Sequence, residues 1–433
     1  GSKVGQGVIG KNITDPRQFR YLKLLRFTMR LIGAWPGKEL KEGKRKYETG
    51  PLYFLMFIKI SCLYLTILYL REYSHTLGFF EIGHIYITVF MTFVTLSRGF
   101  SLPINPNYRR VVTKYITKMH LLHYKDNSEI AMKTHIKVHK ISHFFAMFLK
   151  FQMLAGLTLF NIIPMYNNYT AGRFQHKYLY NDTYDLSIYY KVPFNILTNL
   201  DGYIFICAFN WYASYICCNF FCMFDLVLSL MIFTVSGHFK ILIHNLNNFP
   251  LPAVASGSNK TSKTNDVIAK AQLYNATEMA EITARLHRCI DYHRELLQFT
   301  EDISEAFGPM LFAYYVFHQI SGCLLLLECS QMDAAALIRY GPLTLVLFQQ
   351  LIQLSVIIES VGTVTGLLKD AVYSVPWEYM DTKNRKTMRL FLMNVQEPVH
   401  INALGLAKVG VQSMAAILKT SFSYFAFLRT VSE

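Results

Sequence analysis

Seven apolar stretches of about membrane length run through this chain. They lie at 51–71, 78–98, 143–165, 200–236, 309–328, 340–368 and 399–428. A helix needs about 20 apolar residues to cross the hydrocarbon core of a bilayer, where its backbone groups must bond to one another. Only 16% of the residues are charged, against roughly 25% in soluble domains. The sequence predicts an all-α, polytopic membrane protein with seven transmembrane helices.

Lysine and arginine are divided unevenly between the two sides of these stretches. The segment 1–50 and the loops 98–140, 239–308 and 369–398 hold 33 of the 43 basic residues, and the opposite side holds 6. Basic residues mark the cytoplasmic side of a membrane protein, so we expect the N-terminus in the cytoplasm and the C-terminus outside the cell. The same charges explain the net charge of +15 through contact with membrane lipids, not nucleic acid.

The order of spans and loops divides the chain into six segments. They are an amphipathic cytoplasmic segment at 1–50, helices one to four at 51–236 with an extracellular loop at 166–199, a cytoplasmic loop and helix at 237–308, helices five and six at 309–368, a cytoplasmic helix at 369–398, and the last helix at 399–433. The first segment either lies on the inner leaflet or packs against other cytoplasmic helices. The extracellular loop carries two Asn-x-Thr sequons, at Asn168 and Asn181, which predict glycosylation.

Two cytoplasmic stretches have apolar residues every three or four positions, which predicts amphipathic helices. The stripe of the helix at 267–307 includes Leu286, Ile290 and Leu297, and the stripe of the helix at 378–395 includes Met388, Phe391 and Leu392. Neither stripe can be buried in lipid, so the two are expected to form a cytoplasmic helical base. The base serves either as a contact between subunits or as a bundle within one chain.

The last span carries polar residues among its apolar ones. On a helix of 3.6 residues per turn, one face combines Ser413, Thr420, Tyr424, Phe427 and Val431. Lys408 and Lys419 share another face, and their partners are expected to be Glu359 or Asp225. The polar face predicts the lining of a pore. The alternative is a helix buried in the bundle, with its Ser and Thr hydroxyls bonded to its own backbone.

Aromatic and methionine side chains are concentrated in the outer halves of spans two, three, four and six. The candidate ligand-binding residues are Phe80, His84, Ile87, Phe90, Met91, Met153, Gly156, Phe160, Phe209, Asn210, Tyr212, Leu345, Phe348 and Gln349. Such a pocket binds a hydrophobic molecule by burying apolar area, and a few polar groups orient its head. The alternative for each residue is a lipid-facing or helix-packing role. Motifs for an enzyme, a metal site or a cofactor are not found.

Motifs near the C-terminus resemble those of insect odorant receptors. They are Pro376-Trp377-Glu378, Asn384-Arg385, Val395-Gln396-Glu397-Pro398, Val399-His400, Ala403-x-Gly405, Val409-Gly410 and Met414-x-x-Ile417. The sequences at 376–385 and 395–398 resemble those of the branch that contains moth sex-pheromone receptors. The resemblance covers the whole seven-span plan.

The resemblance implies one subunit of a ligand-gated, non-selective cation channel in the membrane of olfactory neurons. It implies a heterotetramer with an odorant co-receptor, a pore lined by the last span, and a base that anchors the subunits. Gly156-x-x-x-Phe160 resembles the family's pocket pattern, and Phe427 stands where the family gate has a small aliphatic residue. The implied ligand is a volatile long-chain fatty acetate, aldehyde or alcohol, or a plant odorant for a general receptor of the same family.

Two other classes of membrane protein fit the sequence less well. A G-protein-coupled receptor has the opposite orientation, with a Glu/Asp-Arg-Tyr triplet after span three and Asn-Pro-x-x-Tyr in span seven, and this sequence has neither motif. A lipid transporter is expected to contain inverted repeats with broken helices, and we find no internal repeat.

Overall fold

A computed structural model describes residues 13–42, 49–175, 177–179, 182–252, 273–330, 334–405 and 407–432. The helices are α1 (Arg20–Leu31), α2 (Gly50–Tyr73), α3 (Phe79–Ser101), α4 (Pro106–Lys114), α5 (Glu129–Thr170), α6 (Leu200–Asn247), α7 (Ala276–Ser330), α8 (Ala334–Thr365), α9 (Leu368–Tyr373), α10 (Thr382–Asn394) and α11 (Val411–Ser432). Shorter helical turns lie at Pro16–Gln18, Tyr115–Met119, Leu121–Tyr124, Arg173–Gln175 and Trp377–Tyr379. The prediction of an all-α, multi-pass membrane protein is confirmed.

Most of the predicted spans correspond to long helices. Among the described residues, five helices are long and apolar enough to cross a membrane, and a sixth is added if Ile82–Ser101 and Pro106–Tyr124, bent by 75°, count as one span. The seventh predicted span corresponds to α11, which is 22 residues long. It begins at Val411 and not at 399.

Helix α6 lies at the centre of the bundle. Its most apolar segment is 83% buried within the chain, compared with 39% for α2 and 33% for α5. The side chains of Phe220, Phe224 and Leu228 are fully buried. Helices α2 and α5 turn aromatic residues such as Phe57 and Phe151 outward instead, because lipid covers an exposed apolar side chain as well as protein does.

Helix α7 joins two elements that the sequence analysis separated. The predicted cytoplasmic helix at 267–307 and the predicted span at 309–328 form one helix of 55 residues, with Pro309 inside it. The stretch 267–272 lies outside the described residues. Proline at 309 gives up one backbone hydrogen bond but does not end the helix here.

The end of α6 near Asn247 and the start of α7 near Ala276 pack with α10 into a base within the single chain. Met388 and Phe391 are each 4% exposed, and Leu286 is fully buried. The rings of His293 and Phe391 meet edge to face at 5.3 Å. These side chains are therefore not available to a neighbouring subunit. The exposed large apolar residues of α10 are Leu390 and Met393. The predicted anchor residues Ile290, Leu297 and Leu392 are half-buried, and their part in a subunit contact stays a prediction.

A short β-hairpin precedes α11 where the sequence analysis expected helix. Strands β1 (Asn402–Ala403) and β2 (Ala407–Lys408) pair antiparallel, and Gly405 has a φ of +70° in the turn. The hairpin packs against α7, where a Cβ on Gly308 would lie 3.1 Å from the Leu404 nitrogen. Lys408 belongs to β2, so the predicted helix face that it shares with Lys419 does not exist.

Helix α1 packs against the protein, which decides between the two alternatives for the first segment. Leu22, Leu25 and Met29 are buried in the main core. The carboxylate of Glu42 holds this region together, and its side chain is 5% exposed. Its oxygens lie 2.9 Å from Arg17 Nη1, 3.0 Å from Arg26 Nε and 2.8 Å from Arg30 Nη2. Trp35 donates an indole N–H to the same carboxylate at 2.9 Å.

Neutralising Glu42 is expected to loosen this N-terminal region. Glu42→Gln leaves three guanidinium groups with no shared counter-charge, and we expect a loss of about 1–3 kcal/mol, between the values for exposed and buried pairs. Thermal unfolding of the purified protein measures it. The matched control is Glu39→Gln, whose carboxylate pairs with Arg109 at 3.0 Å and is expected to contribute under about 1 kcal/mol. Equal effects of the two substitutions would contradict the prediction.

The outer loop folds over the ends of α5 and α6. Arg173 donates to Asp182 at 2.6 Å, and this bond lowers the pKa of the Asp182 carboxyl. The Asn168 side chain is fully buried and donates to Asp185 O at 2.8 Å. Contrary to the expectation from its sequon, Asn168 lies in the last turn of α5 with no accessible amide for a glycan. Asn181 lies outside the described residues.

Candidate functional site

A cavity of about 140 Å³ lies inside the bundle between α3, α5, α6, α7 and α8. Its wall is mostly apolar and includes Leu157, Phe221, Phe317, Leu325, Leu343, Val346 and Leu347. The cavity exists partly because Gly156 has no side chain: a Cβ at that position would meet no atom within 4 Å. At this place α5 presents empty space to its neighbours.

A second, smaller cavity of about 60 Å³ adjoins the first. Four residues line both cavities, namely Gly156, Phe160, Leu343 and Val346. The smaller cavity is bordered by Pro164 of α5 and Pro342 of α8. Within it, the Phe160 ring stacks on His84 with 5.9 Å between centroids, and His84 Nε2 lies 2.8 Å from Ser187 O of the outer loop. The Phe160 side chain therefore belongs to the wall between the two spaces.

Few polar groups reach the larger cavity. Lys59 of α2 donates to Ala213 O at 2.8 Å. Gln152 of α5 donates to Gln349 of α8, whose Nε2 donates in turn to Gln353. This amide chain ties α5 to α8 at the cavity wall.

Helix α11 packs on α7 and α8 along one side only. Ser421 is fully buried, and its hydroxyl would lie 3.2 Å from a Cβ on Gly322 of α7. Phe422 stacks on Phe348 of α8, with 5.9 Å between ring centroids. The start of α11 is held by Glu359 of α8, which accepts from the Val411 N–H at 3.2 Å.

The other side of α11 is exposed in the single chain. Thr420 is exposed, and Tyr424 and Phe427 are 55% and 63% exposed. Ser413 is half-buried and donates to Lys408 O at 2.7 Å. Of the predicted pore residues, only the side chain of Val431 lies outside those described.

The family model described as 7tm Odorant receptor matches residues 81–422. That range is most of the chain. The chain belongs to the 7tm odorant receptor family. The moth sex-pheromone branch stays a prediction.

Relatives of this odorant receptor include two curated insect proteins. Odorant receptor 13a of Drosophila melanogaster is 26% identical over 161 residues, which are 34% of this chain and 38% of that protein. Odorant receptor Or2 of Anopheles gambiae is 24% identical over 154 residues, 34% of this chain and 39% of that protein. The matched parts therefore span under two fifths of these relatives.

The fold of this odorant receptor is that of a solved insect olfactory receptor. The structure of OR5 from Machilis hrabei superposes with a TM-score of 0.71 at 14% identity, covering 94% of this chain and 97% of that one. OR5 in complex with eugenol superposes with a TM-score of 0.69, also at 14% identity. At this identity the likeness establishes the fold alone.

The structure brings together six of the predicted ligand-binding residues. Ile87, Met91, Met153, Gly156 and Phe160 line the larger cavity, and His84 lines the smaller one. Helices α3 and α5 of this odorant receptor supply all six of them.

The other predicted residues lie outside both cavity walls. Tyr212 and Leu345 are 43% and 74% exposed, so they face outward from the bundle. Asn210 donates to Ile188 O at 3.1 Å, and Phe209 packs edge to face on Tyr190 at 5.8 Å. The rest are Phe90, Phe348 and Gln349, and the Phe80 side chain lies outside the described residues.

Several cavity residues of the receptor were missed by the sequence analysis. They include Lys59, Thr88, Gln152, Ser214, Cys217, Phe317 and Gln350. Phe317 belongs to the fifth span and Lys59 to the first, and neither span was assigned to the pocket. One signal was available, because Lys59 is the one charged residue in the predicted span 51–71, apart from Arg71 at its end, and ionisable residues inside spans are functional candidates.

Proposed function

We propose that this chain is the odorant-binding subunit of a ligand-gated, non-selective cation channel that assembles with an odorant co-receptor. The ligand binds in the cavity between α3, α5, α6, α7 and α8, and α11 lines the pore. Membership of the odorant receptor family supports the class of protein. The observation that carries the proposal is the contact that links the cavity to α11: α8 lines the cavity through Leu347, and the next residue, Phe348, stacks on Phe422 of α11.

The mechanism is a shift between closed and open states. A ligand that binds better to the open state increases its population by the ratio of the two affinities. Ligand contacts along α8 move Phe348 relative to α11, and the helix end that carries Phe427 follows. The exposed side of α11 is completed by the other subunits, since Ser, Thr and aromatic side chains on a helix that faced only lipid would be poorly placed.

Cavity size bears on the ligand. A cavity of about 150 Å³ holds one benzene molecule, and the larger cavity here is about 140 Å³. A compact odorant of that size fits without rearrangement, which favours the general plant-odorant alternative. A long-chain acetate, aldehyde or alcohol also needs the smaller cavity, and therefore a movement of Phe160.

Whole-cell recording tests the channel function. Cells that express this chain with the co-receptor are expected to give cation current on exposure to an active odorant, and cells with either chain alone are expected to give less or none. The panel combines plant odorants with long-chain acetates, aldehydes and alcohols. If subunit assembly is abolished and an odorant-evoked current still persists, the proposal is overturned.

Cysteine substitution tests whether α11 lines the pore. A cysteine at Thr420 is expected to react with a water-soluble methanethiosulfonate reagent and lower the odorant-evoked current by more than half, because this side chain is exposed. The matched control is Ser421→Cys at the next position, which is fully buried and is expected to be insensitive. Equal sensitivity at both positions, or none at either, would contradict the pore assignment.

A further inference from the structure

A lysine from the first span reaches the wall of the ligand cavity. We propose that Lys59 selects the ligand by its oxygen: its side-chain nitrogen donates a hydrogen bond to the carbonyl oxygen of a hydrophobic ketone, aldehyde or ester. This inference rests on the proposed function, because it specifies the ligand chemistry of the same cavity.

Burial of the Lys59 side chain in the middle of the membrane costs free energy. Its side chain is 4% exposed, and it lies nine residues after the start of α2 at Gly50. At 1.5 Å per residue that is about 14 Å along the helix, close to the middle of a hydrocarbon core of about 30 Å. Burying an amine or ammonium there is unfavourable unless polar groups compensate it.

The chain itself supplies little compensation. Ala213 O is the one hydrogen-bond acceptor of Lys59 among the described residues, at 2.8 Å, and no described carboxylate lies within 4.0 Å of its nitrogen. A lysine nitrogen carries three N–H donors as an ammonium and two as an amine. At least one N–H donor therefore remains beyond the bond to Ala213.

A second polar group lies beside the first. Ser214 follows Ala213 on α6, lines the same cavity, and is 5% exposed. Its hydroxyl has no hydrogen-bond partner among the described residues. By contrast, Thr88 and Thr92 in the same wall donate to Ile85 O at 2.8 Å and to Thr88 O at 2.9 Å. Lys59, bonded to Ala213 O, and Ser214, the next residue, thus give one corner of the mostly apolar wall hydrogen-bonding capacity.

This corner fits a carbonyl oxygen. Such an oxygen has two lone pairs, one for the lysine N–H and one for the serine O–H. The apolar remainder of the ligand then lies against Leu157 and Phe317. A hydrocarbon leaves both protein groups unpaired, which costs affinity.

The test compares two probes of the same shape and about the size of benzene, cyclopentanone and methylenecyclopentane, in which a methylene group replaces the carbonyl oxygen. A longer pair, tridecan-2-one and 2-methyltridec-1-ene, extends the test to a larger ligand. Binding is read as ligand-induced thermal stabilisation of the purified receptor in lipid nanodiscs, which does not depend on channel opening. We expect the ketone to bind the unmodified receptor about 10- to 100-fold more tightly than its alkene, the range for a hydrogen bond to a charged group.

Lys59→Met keeps the length of the side chain and removes its donors. It is expected to weaken ketone binding but not alkene binding, so that the two affinities differ by only a few-fold, through the hydroxyl of Ser214 alone. Lys59→Gln retains N–H donors and is expected to keep part of the preference. Lys150→Met, which removes an exposed lysine from α5, is the matched control and is expected to change neither affinity.

Two results would overturn the assignment of Lys59. One is equal affinity of the unmodified receptor for ketone and alkene, including no binding of either. The other is an equal loss for both probes in Lys59→Met, which would mean that Lys59 serves only to hold α2 against α6. A receptor that prefers the ketone through Lys59 but gives no current with the co-receptor would support this inference while overturning the proposed channel function.

Discussion

Replacement of Gly156 by leucine is expected to reduce odorant sensitivity by about 10- to 100-fold. A Cβ at Gly156 meets open space, so the helix accepts the new side chain, and its four carbons enter a cavity of only about 140 Å³. A ligand that shares the cavity must then displace packed side chains, which costs about 1–3 kcal/mol. The concentration for half-maximal current, measured with the co-receptor, reports the loss.

The matched control for this change is Gly341→Leu in α8. A Cβ at Gly341 also meets no atom within 4 Å, but this residue lines neither cavity. We expect normal sensitivity and normal surface expression from the control. An unchanged dose–response for Gly156→Leu, at equal surface expression, would show that the ligand binds elsewhere.

Breaking the ion pair between Arg98 and Asp225 is expected to be the most destabilising single change in the bundle. Arg98 is fully buried, and its Nη2 lies 3.1 Å from Asp225 Oδ1. The same guanidinium donates to Phe221 O at 2.6 Å and lies 4.3 Å from the centre of the Phe221 ring. Asp225→Asn leaves a buried positive charge without its counter-charge, which costs about 3–5 kcal/mol. Thermal unfolding in detergent and the yield of folded protein measure the effect.

Two variants make this result interpretable. Asp201 forms an ion pair of the same length, 3.1 Å, with Lys177, but both side chains are exposed. We expect no measurable change in unfolding temperature from Asp201→Asn. The double variant Arg98→Met with Asp225→Leu replaces both charges by apolar groups and is expected to recover most of the lost stability, as buried pairs elsewhere do. A double variant no more stable than Asp225→Asn would contradict this account.

The sequence determined most of the fold because apolar length and helical period are local properties. Where the sequence analysis failed, a distant contact decides the outcome. The hairpin at 402–408 replaces the first turns of a predicted helix, since it packs on Gly308, almost 100 residues earlier in the chain. Asn168 carries a sequon, yet its side chain is buried and donates to the Asp185 carbonyl of the loop. Asp225 was, with Glu359, one of two expected partners for the lysines of the last span, and it pairs with Arg98 of α3 instead.

Only part of the cavity wall was predicted, because its other residues depend on contacts between distant helices. The pattern of aromatic and methionine residues, together with the likeness of Gly156-x-x-x-Phe160 to the family's pocket pattern, selected Met153, Gly156 and Phe160, and all three line the larger cavity. It could not tell which side of α6 or α8 turns inward, because both are apolar all round, so Tyr212 and Leu345 were chosen although they face outward. It also could not reveal that Lys59 crosses from α2 to the carbonyl of Ala213. Which side chains face the cavity depends on how the helices pack, and a single sequence does not reveal that packing.

The length of α7 has a consequence for which substitutions can change the response to an odorant. At 1.5 Å per residue, the 55 residues of α7 make a helix of about 80 Å. This one helix contributes to the base, packs against the hairpin and lines the cavity. The helix continues through Pro309, so a tilt of a few degrees near Phe317 is expected to displace the end around Leu286 by a few ångströms. Under the proposed function, substitutions around Leu286, far from the cavity, are therefore expected to change the odorant dose–response.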